Sequence, residues 1–356
     1  MKYFAYNLGC RVNSYELNVV ENHLVLRGFI KGNKTDIDLD VIVINTCSVT
    51  STSDAKSRKM IRYFRKNNPV AKIFVMGCFI EGHQEFSDVR IDLMTGTYGR
   101  KKIIEAIDNL SDIKCSLQLT PKWLYEEFGY TFEQDRRIPE IKIQDGCNNA
   151  CSYCLVSRLR GPVRSRHRDN ILKELNYLVS KGKSTFILVG INLGSYGYDF
   201  KDYDIVDLLS DITCTFPAVK LVLSSLELGT VNQKLLDFLK NTRQLEPHFH
   251  IPLQSGATKV LREMNRSYTK DDYLRKISEI LLIFPNATFS TDIIVGFPGE
   301  TDADFLETVD IVEKVRYKHL HIFPYSIREG TPAATMENQV PDTIKNARFS
   351  VLNSYN

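Results

Sequence analysis

Three apolar runs near the N-terminus each end at a cysteine: Tyr3-Phe-Ala-Tyr-Asn-Leu-Gly-Cys10, Asp40-Val-Ile-Val-Ile-Asn-Thr-Cys47 and Lys72-Ile-Phe-Val-Met-Gly-Cys78. Their length and near-continuous hydrophobicity predict buried strands. Helical periodicity follows the first two. Asn13 with Glu16 reads as a capping box ahead of Leu17, Val20 and Leu24, with Gly28 as the stop; a second helix runs from about Ser53 to Asn67, before Pro69. Strand and helix in alternation imply a parallel sheet whose carboxyl-end loops gather in one crevice, so Cys10, Cys47 and Cys78 should converge.

From about Arg137 the chain repeats an apolar strand, a loop and an amphipathic helix. Candidate strands are Glu140 to Gln144, Thr185 to Val189, Lys220 to Ser224, His248 to Pro252, Thr288 to Val295 and His319 to Pro324. Six such units predict a partial barrel with its chemistry at the carboxyl ends of the strands. The expected fold is α/β: an N-terminal parallel-sheet domain over 1–112, a linker over 113–136 and a partial (β/α)6 barrel over 137–356.

Composition narrows the setting. The 356 residues are 43% hydrophobic and 25% charged, ordinary for a folded chain of two domains. No apolar stretch reaches the roughly 18 residues that cross a bilayer, and Met1-Lys-Tyr-Phe-Ala-Tyr-Asn opens a strand rather than a signal peptide. A cytoplasmic protein without a membrane partner is expected, and there a set of eight cysteines points to metal ligands among them rather than to disulfides. A net charge of +3 permits a nucleic-acid partner without arguing for one.

The run Ile143-Gln-Asp-Gly-Cys147-Asn-Asn-Ala-Cys151-Ser-Tyr-Cys154 puts three thiolates on one loop, and an iron–sulfur cube asks for four ligands. One iron is left open. A zinc knuckle or redox pair is the alternative, with His167 as a fourth ligand, but no second cysteine hook lies nearby. For Cys10, Cys47 and Cys78 the alternative is three small buried thiols; equivalent positions at three strand ends favour a shared metal site. Cys115 and Cys214 have no partner pattern and read as packing residues. Gly190-Ile-Asn-Leu-Gly-Ser-Tyr-Gly197 allows close backbone approach to a ligand or makes a plain turn. Gly296-Phe-Pro-Gly-Glu-Thr301 leads into a helix capped by Thr301 with Asp304. His248 and His250 read as satisfied structural histidines.

Across almost its whole length the chain resembles the methylthiotransferases, two-cluster radical S-adenosylmethionine enzymes. The resemblance rests on Leu8-Gly-Cys10-Arg-Val-Asn-Ser-Tyr-Glu16, Asn45-Thr-Cys47-Ser-Val-Thr50, Gly77-Cys78, the three-cysteine loop, and Arg160-Gly161 with Arg164-Ser-Arg166. It continues through His250-Ile-Pro-Leu-Gln-Ser-Gly256, Met264-Asn-Arg266, Thr291-Asp-Ile-Ile-Val-Gly-Phe-Pro-Gly-Glu300 and Phe323-Pro-Tyr-Ser-Ile-Arg-Glu-Gly-Thr-Pro332. It implies one [4Fe–4S] cluster on Cys147, Cys151 and Cys154 and an auxiliary one on Cys10, Cys47 and Cys78. It also implies an S-adenosylmethionine site drawn from Tyr153, Gly190, Asn192, Ser224, Gln254, Asp292 and Gly296. Ser157 in place of a frequent proline, and Phe79-Ile-Glu81 in place of Tyr-Ala-Gln, depart from the family pattern. The resemblance also implies a C-terminal RNA-binding β-barrel in the family, which is expected to have no counterpart within these 356 residues.

Cys10-Arg-Val-Asn, Asn45-Thr-Cys47-Ser-Val-Thr50, Ile143-Gln-Asp-Gly-Cys147 and the loop 190–197 look most like the branch that adds a methylthio group to carbon 2 of threonylcarbamoyl-adenosine next to the tRNA anticodon. Sister branches act on isopentenyl-adenosine or on a ribosomal-protein aspartate, and a two-cluster electron carrier is the non-enzymatic alternative. In the implied mechanism the catalytic cluster reduces S-adenosylmethionine to a 5′-deoxyadenosyl radical that takes the hydrogen from carbon 2, while the auxiliary cluster holds the sulfur. tRNA, a sulfur source and an electron donor of the flavodoxin or ferredoxin type are the implied partners. Phosphate contacts are expected from Arg160, Arg164 and Arg166, which follow the cluster loop with Arg158 and Arg168, or from Lys56, Arg58, Lys59, Arg62, Arg65 and Lys66 on the second helix, unless that helix is simply a solvated face.

Overall fold

A computed structural model describes residues 1–83, 86, 89–112, 116–118, 124–131 and 138–356. The chain forms two compact units, one of residues 1–147 and 156–183, the other of residues 148–155 and 184–356. This differs from the expected division. Residues 138–147 and 156–183 fold with the N-terminal sheet because Lys142, Arg160 and Glu174 send buried side chains to Glu16 and Tyr15 of its first helix. Most of the expected linker, and Cys115, lie outside the described residues.

In the first unit the order is β1 (Lys2–Asn7), α1 (Arg11–Leu26), β2 (Ile30–Lys31), β3 (Val41–Thr46), α2 (Ser51–Asn67), β4 (Lys72–Gly77) and α3 (Cys78–Gly82). There follow β5 (Leu93–Thr95), α4 (Lys101–Asp108), β6 (Ser116–Gln118), β7 (Glu140–Lys142), β8 (Gln144–Asp145), α5 (Val156–Arg160), β9 (Arg164–Ser165) and α6 (Arg168–Ser180). The first six strands make one sheet in the order β2-β1-β3-β4-β5-β6, parallel throughout. Both faces are covered, which is why the strands read as continuous apolar runs. Ile42, Ile44, Ile73 and Val75 pack on Ile61 and Phe64 of α2, whereas Val41, Val43, Phe74 and Met76 pack on Leu17, Val20 and Leu24 of α1 and Ile103 of α4. Strand order reverses between β1 and β3, so Cys10 and Cys47 flank the switch point where open α/β sheets bind ligands.

The second unit holds β10 (Thr185–Val189), α7 (Ile205–Thr215), β11 (Lys220–Leu223), α8 (Gln233–Asn241), β12 (His248–His250), α9 (Thr258–Glu263) and α10 (Lys270–Ile283). It ends with β13 (Thr288–Val295), α11 (Asp302–Val315), β14 (His319–Pro324) and α12 (Asp342–Asn353). β10 pairs parallel with β11, bridges Leu221–Leu245 and Ser225–His250 continue the order, and β12, β13 and β14 pair parallel in turn. Capping boxes start α7 (Asp204, Asp207), α10 (Thr269, Asp272) and α11 (Thr301, Asp304), the last as expected. Cys214 of α7 is exposed rather than packed, because it falls on the solvent face.

One glycine fixes the strand–cysteine junction. Gly77 has φ +106, and a Cβ there would lie 2.5 Å from Asn45 Oδ1 and 2.6 Å from the Thr46 carbonyl. Gly77→Ala is expected to destabilise the first unit by about 2 kcal/mol and to lower its thermal midpoint by several degrees. An unchanged melting curve would contradict this reading of the junction.

Candidate functional site

Cys47 and Cys78 follow β3 and β4 directly and Cys10 follows β1 after Leu8 and Gly9, at the carboxyl ends of adjacent strands. The expected capping box is not one. α1 begins at Arg11 with Cys10 as its N-cap, and Asn13 and Glu16 turn inward, because helical spacing puts 10, 13 and 16 on one face. Asn13 Oδ1 accepts from Cys10 Sγ at 3.1 Å and from Arg160 Nη2 at 3.1 Å, while its amide donates to Asn45 Oδ1 at 2.7 Å. Asn45 returns a bond from its amide to the Asn13 carbonyl at 2.8 Å. Each side-chain amide thus spans two of the cysteine-bearing elements and fixes their spacing.

Beneath the cysteines lies a buried ion cluster. Glu16, fully buried, meets Lys142 Nζ at 2.7 Å, Arg100 Nη2 at 2.8 Å and Arg160 Nη1 at 3.1 Å. Asp145 takes Lys142 at 2.6 Å and Arg160 at 2.9 Å, with Arg164 at 3.6 Å. Burial opposes the ionised form of Glu16, but Arg100, Arg160 and Lys142 outweigh it and hold its pKa at about 2. Burial opposes ionisation of Asp145 too, and Lys142, Arg160 and Arg164 hold it well below the usual carboxylate value. Arg160 also hydrogen-bonds the Cys78 thiol, which burial pushes up to about 12, and opposes the similar rise at Cys10. The thiols therefore give up protons when a metal binds them, and the guanidinium steadies the resulting negative charge. The donor set, three thiols with a buried cation and no carboxylate among them, fits an iron–sulfur cube.

Of the other trio, Cys147 belongs to the first unit and Cys151 and Cys154 to the second. The Cys147 N–H donates to the Gly161 carbonyl at 3.0 Å, and Gly146 before it has φ +74 with the Pro162 carbonyl 1.9 Å from where a Cβ would sit. In the second unit Asn265 Nδ2 donates to the Ala150 carbonyl at 2.8 Å, and the N–H groups of Ser152 and Ala333 reach Met264 and Ser152 carbonyls. Arg266 Nη1 donates to Cys151 Sγ at 3.2 Å and is fixed by an ion pair with Glu227 and by the Tyr268 ring. Met264-Asn-Arg266 thus pins the loop and places a cation on a thiol. His167, the alternative fourth ligand, instead caps α6 by accepting from the Asp169 N–H.

The residues expected to hold S-adenosylmethionine divide. Ser224, at the end of β11, has a buried hydroxyl with no hydrogen-bond partner among the described residues, and Asn192 is nearly buried beyond β10. Gln254 takes φ +66 after β12, with its N–H on the Asp292 carbonyl. These fit a polar ligand at the strand ends. Tyr153 packs against the apolar cluster that includes Met264, Phe297 and Tyr325. Gly296 does not face an open site: its N–H donates to Glu300, and the Lys345 stem fills the place of its Cβ. Gly194 and Gly197 likewise admit Thr230 and Tyr203 rather than a ligand. Asp292 faces His250 and His321.

The expected phosphate contacts are corrected as well. Arg160, Arg164 and Arg166 are buried, the first two over Asp145 and the third on Glu127, Glu174 and Tyr15. Arg158 and Arg168 beside them are exposed, as are Lys56, Lys59, Arg62 and Lys66 of α2, whereas Arg65 is turned onto Asp92. Asn45, Arg100, Lys142 and Asp145 have no role that the sequence pattern assigns, and Asn13 and Glu16 serve a different one from the expected cap; the available signal is a charged residue inside an apolar pattern, as in Ile141-Lys142-Ile143.

Residues 2–96 match the uncharacterized protein family UPF0004, and residues 141–312 match the radical SAM superfamily. The threonylcarbamoyladenosine tRNA methylthiotransferase MtaB of Bacillus subtilis is 36% identical over 352 residues, 96% of this chain and 77% of that protein. The tRNA-2-methylthio-N(6)-dimethylallyladenosine synthase of Lachnoclostridium phytofermentans is 34% identical over 97% of this chain and 77% of its own. In fold the chain is similar to the radical S-adenosylmethionine methyltransferase TsrM from Kitasatospora setae, with TM-score 0.64 and 13% identity over 94% of this chain and 75% of TsrM.

The ion cluster has a pH signature. Because the pKa of Glu16 falls from 4.5 to about 2 on folding, its contribution is complete above about pH 4.5 and is lost as pH drops through 2, roughly 3 kcal/mol in all. Glu16→Gln is expected to lower stability at neutral pH by about 3–5 kcal/mol, since three cations lose their partner, and to flatten the acid limb. Urea unfolding of both proteins across pH 2–7 measures this; equal slopes would refute it.

Proposed function

Since this chain belongs to the MtaB-type methylthiotransferases, we propose that it adds a methylthio group to carbon 2 of threonylcarbamoyl-adenosine beside the tRNA anticodon. The observation that carries this reading is the buried framework of Asn13, Asn45, Gly77 and Arg160, which serves three cysteines and has no evident purpose for three inert thiols. In this proposal Cys10, Cys47 and Cys78 hold an auxiliary [4Fe–4S] cluster, and Cys147, Cys151 and Cys154 hold the catalytic one. Ser224, Asn192 and Gln254 supply polar contacts to S-adenosylmethionine. A reduced [4Fe–4S] cluster held by Cys147, Cys151 and Cys154 would supply the single electron for reductive cleavage of S-adenosylmethionine, chemistry that reaches a hydrogen no base removes as a proton.

The chain's own part is electrostatic and geometric. Arg266 balances thiolate charge at Cys151, and Glu227 keeps that guanidinium in place. Arg160 does the same for Cys78, with Glu16 and Asp145 fixing its plane. Exposed Lys56, Lys59, Arg62 and Lys66 offer phosphate contacts along α2, so tRNA binding should weaken as salt rises. An external one-electron donor of the flavodoxin or ferredoxin type and a sulfur source complete the reaction in the cytoplasm. No described helix is long and apolar enough to cross a membrane.

Cys147→Ala should abolish S-adenosylmethionine cleavage, read as deoxyadenosine release under reductant, whereas Cys47→Ala should keep cleavage and form no methylthiolated nucleoside. Identical behaviour of the two variants would refute the division of labour. Anaerobically reconstituted protein should hold about eight irons per chain, as two cubes require; about four would leave one trio without its cluster. Mass spectrometry of tRNA nucleosides from cells with and without the protein tests the substrate. Loss of the methylthio form of threonylcarbamoyl-adenosine supports it, and loss of the isopentenyl form alone assigns the other branch.

A further inference from the structure

Four of the chain's seven histidines, His248, His250, His319 and His321, stand on one face of the sheet formed by β12, β13 and β14. Register puts them in rows: His250, Ser290 and His319 are neighbours, and Asp292 lies directly opposite His321. The other face carries Phe249, Ile293 and Leu320, all buried. Fold stability is thus served by that apolar side and gives no reason to gather imidazoles on this one.

We propose that His250, Asp292 and His321 form a binding site for a divalent cation of the zinc class, separate from the six cluster cysteines. Their ligating atoms all lie within 4.8 Å of one another, and His250 Nε2 is 3.3 Å from Asp292 Oδ2. Zinc bonds of about 2.0–2.2 Å to nitrogen and oxygen then require only side-chain rotation to close the set. The outer groups are also in place. Ser290 Oγ is 2.9 Å from His250 Nδ1, which fixes the ring with Nε2 toward Asp292, as metal-bound histidines need. The same hydroxyl is 3.1 Å from His248 Nε2, and His248 Nδ1 is 2.8 Å from Thr288 Oγ1. His248 therefore has both ring nitrogens engaged and braces the site rather than ligating.

Charge decides between a cation and an anion. The Asp292 carboxylate between two imidazoles repels an anionic ligand, and a divalent ion bound by one carboxylate and two ring nitrogens keeps part of its charge for a further oxygen donor. Three protein ligands leave at least one coordination position for an oxygen donor. Nitrogen and oxygen ligands suit zinc or cobalt, whereas the soft thiolates elsewhere select iron–sulfur chemistry, so both kinds of site can load in one chain. His319, its ring 4.4 Å from that of His321 in an edge contact, limits how that ring can turn.

The test uses the cluster-loaded full chain, whose ligand cysteines are occupied. Cobalt(II) chloride is added anaerobically, excess is removed by gel filtration, and cobalt and iron are measured together with the visible spectrum. The proposal expects about one cobalt per chain, with the absorption of nitrogen and oxygen ligation and no thiolate-to-cobalt charge-transfer band. His321→Ala and Asp292→Asn should each weaken retention by roughly tenfold or more, at unchanged iron content and unchanged thermal midpoint. His321→Ala removes an exposed side chain, so it should fold even where Asp292→Asn does not. Absence of retained cobalt, equal retention by His321→Ala, or a thiolate charge-transfer band would each overturn the site.

Discussion

A single buried carboxylate organises the first unit. Glu16 would be costly to bury alone, and three cations converge on it from three stretches of sequence: Arg100 at the start of α4, Lys142 in β7 and Arg160 at the end of α5. None of the four could remain charged in that interior without the others. Their mutual dependence draws the segments on both sides of the cluster loop onto the N-terminal sheet, and it sets Arg160 against the thiols. Stability and chemistry therefore share one set of charges.

The two groups of thiols are handled in a like manner by unrelated means. At Cys78 the guanidinium comes from the end of a short helix and is held by carboxylates beneath it. At Cys151 it comes from a turn in which Asn265 takes a left-handed backbone, and it is held by one carboxylate and an aromatic face. In both, a long cation is immobilised by its own partner before it meets sulfur, so little freedom is lost when the thiol becomes a thiolate.

Much of this was legible in the sequence because it obeys local rules. The strands at Val41–Thr46 and Lys72–Gly77 announce themselves by unbroken apolar runs, and the Thr301 cap by its spacing to Asp304. What was misread depends on partners distant in the chain. Asn13 and Glu16 have the spacing of a capping box, and only contacts with Asn45 and Arg100 reveal another use. Arg160, Arg164 and Arg166 resemble a phosphate-binding run in composition, yet acidic partners draw them inside: Glu16 of α1 for Arg160, Asp145 for Arg164, and Glu127 and Glu174 for Arg166. The glycines at 194, 197 and 296 look like ligand cradles, but each makes room for the protein itself. The compact units follow such long-range ion pairs too, which leave no trace in local periodicity.

Helix α1 and its N-cap present a thiol, a latch and a counter-charge at Cys10, Asn13 and Glu16, three residues apart each time. Adding or deleting one residue in this turn would swing whatever lies beyond it by about 100° around the axis and misalign the trio together. A substitution at one position here changes one contact, as Arg11 would with Glu140, and individual identities can drift. The count of residues between them cannot, so gaps in this stretch should be far rarer among functioning descendants than exchanges.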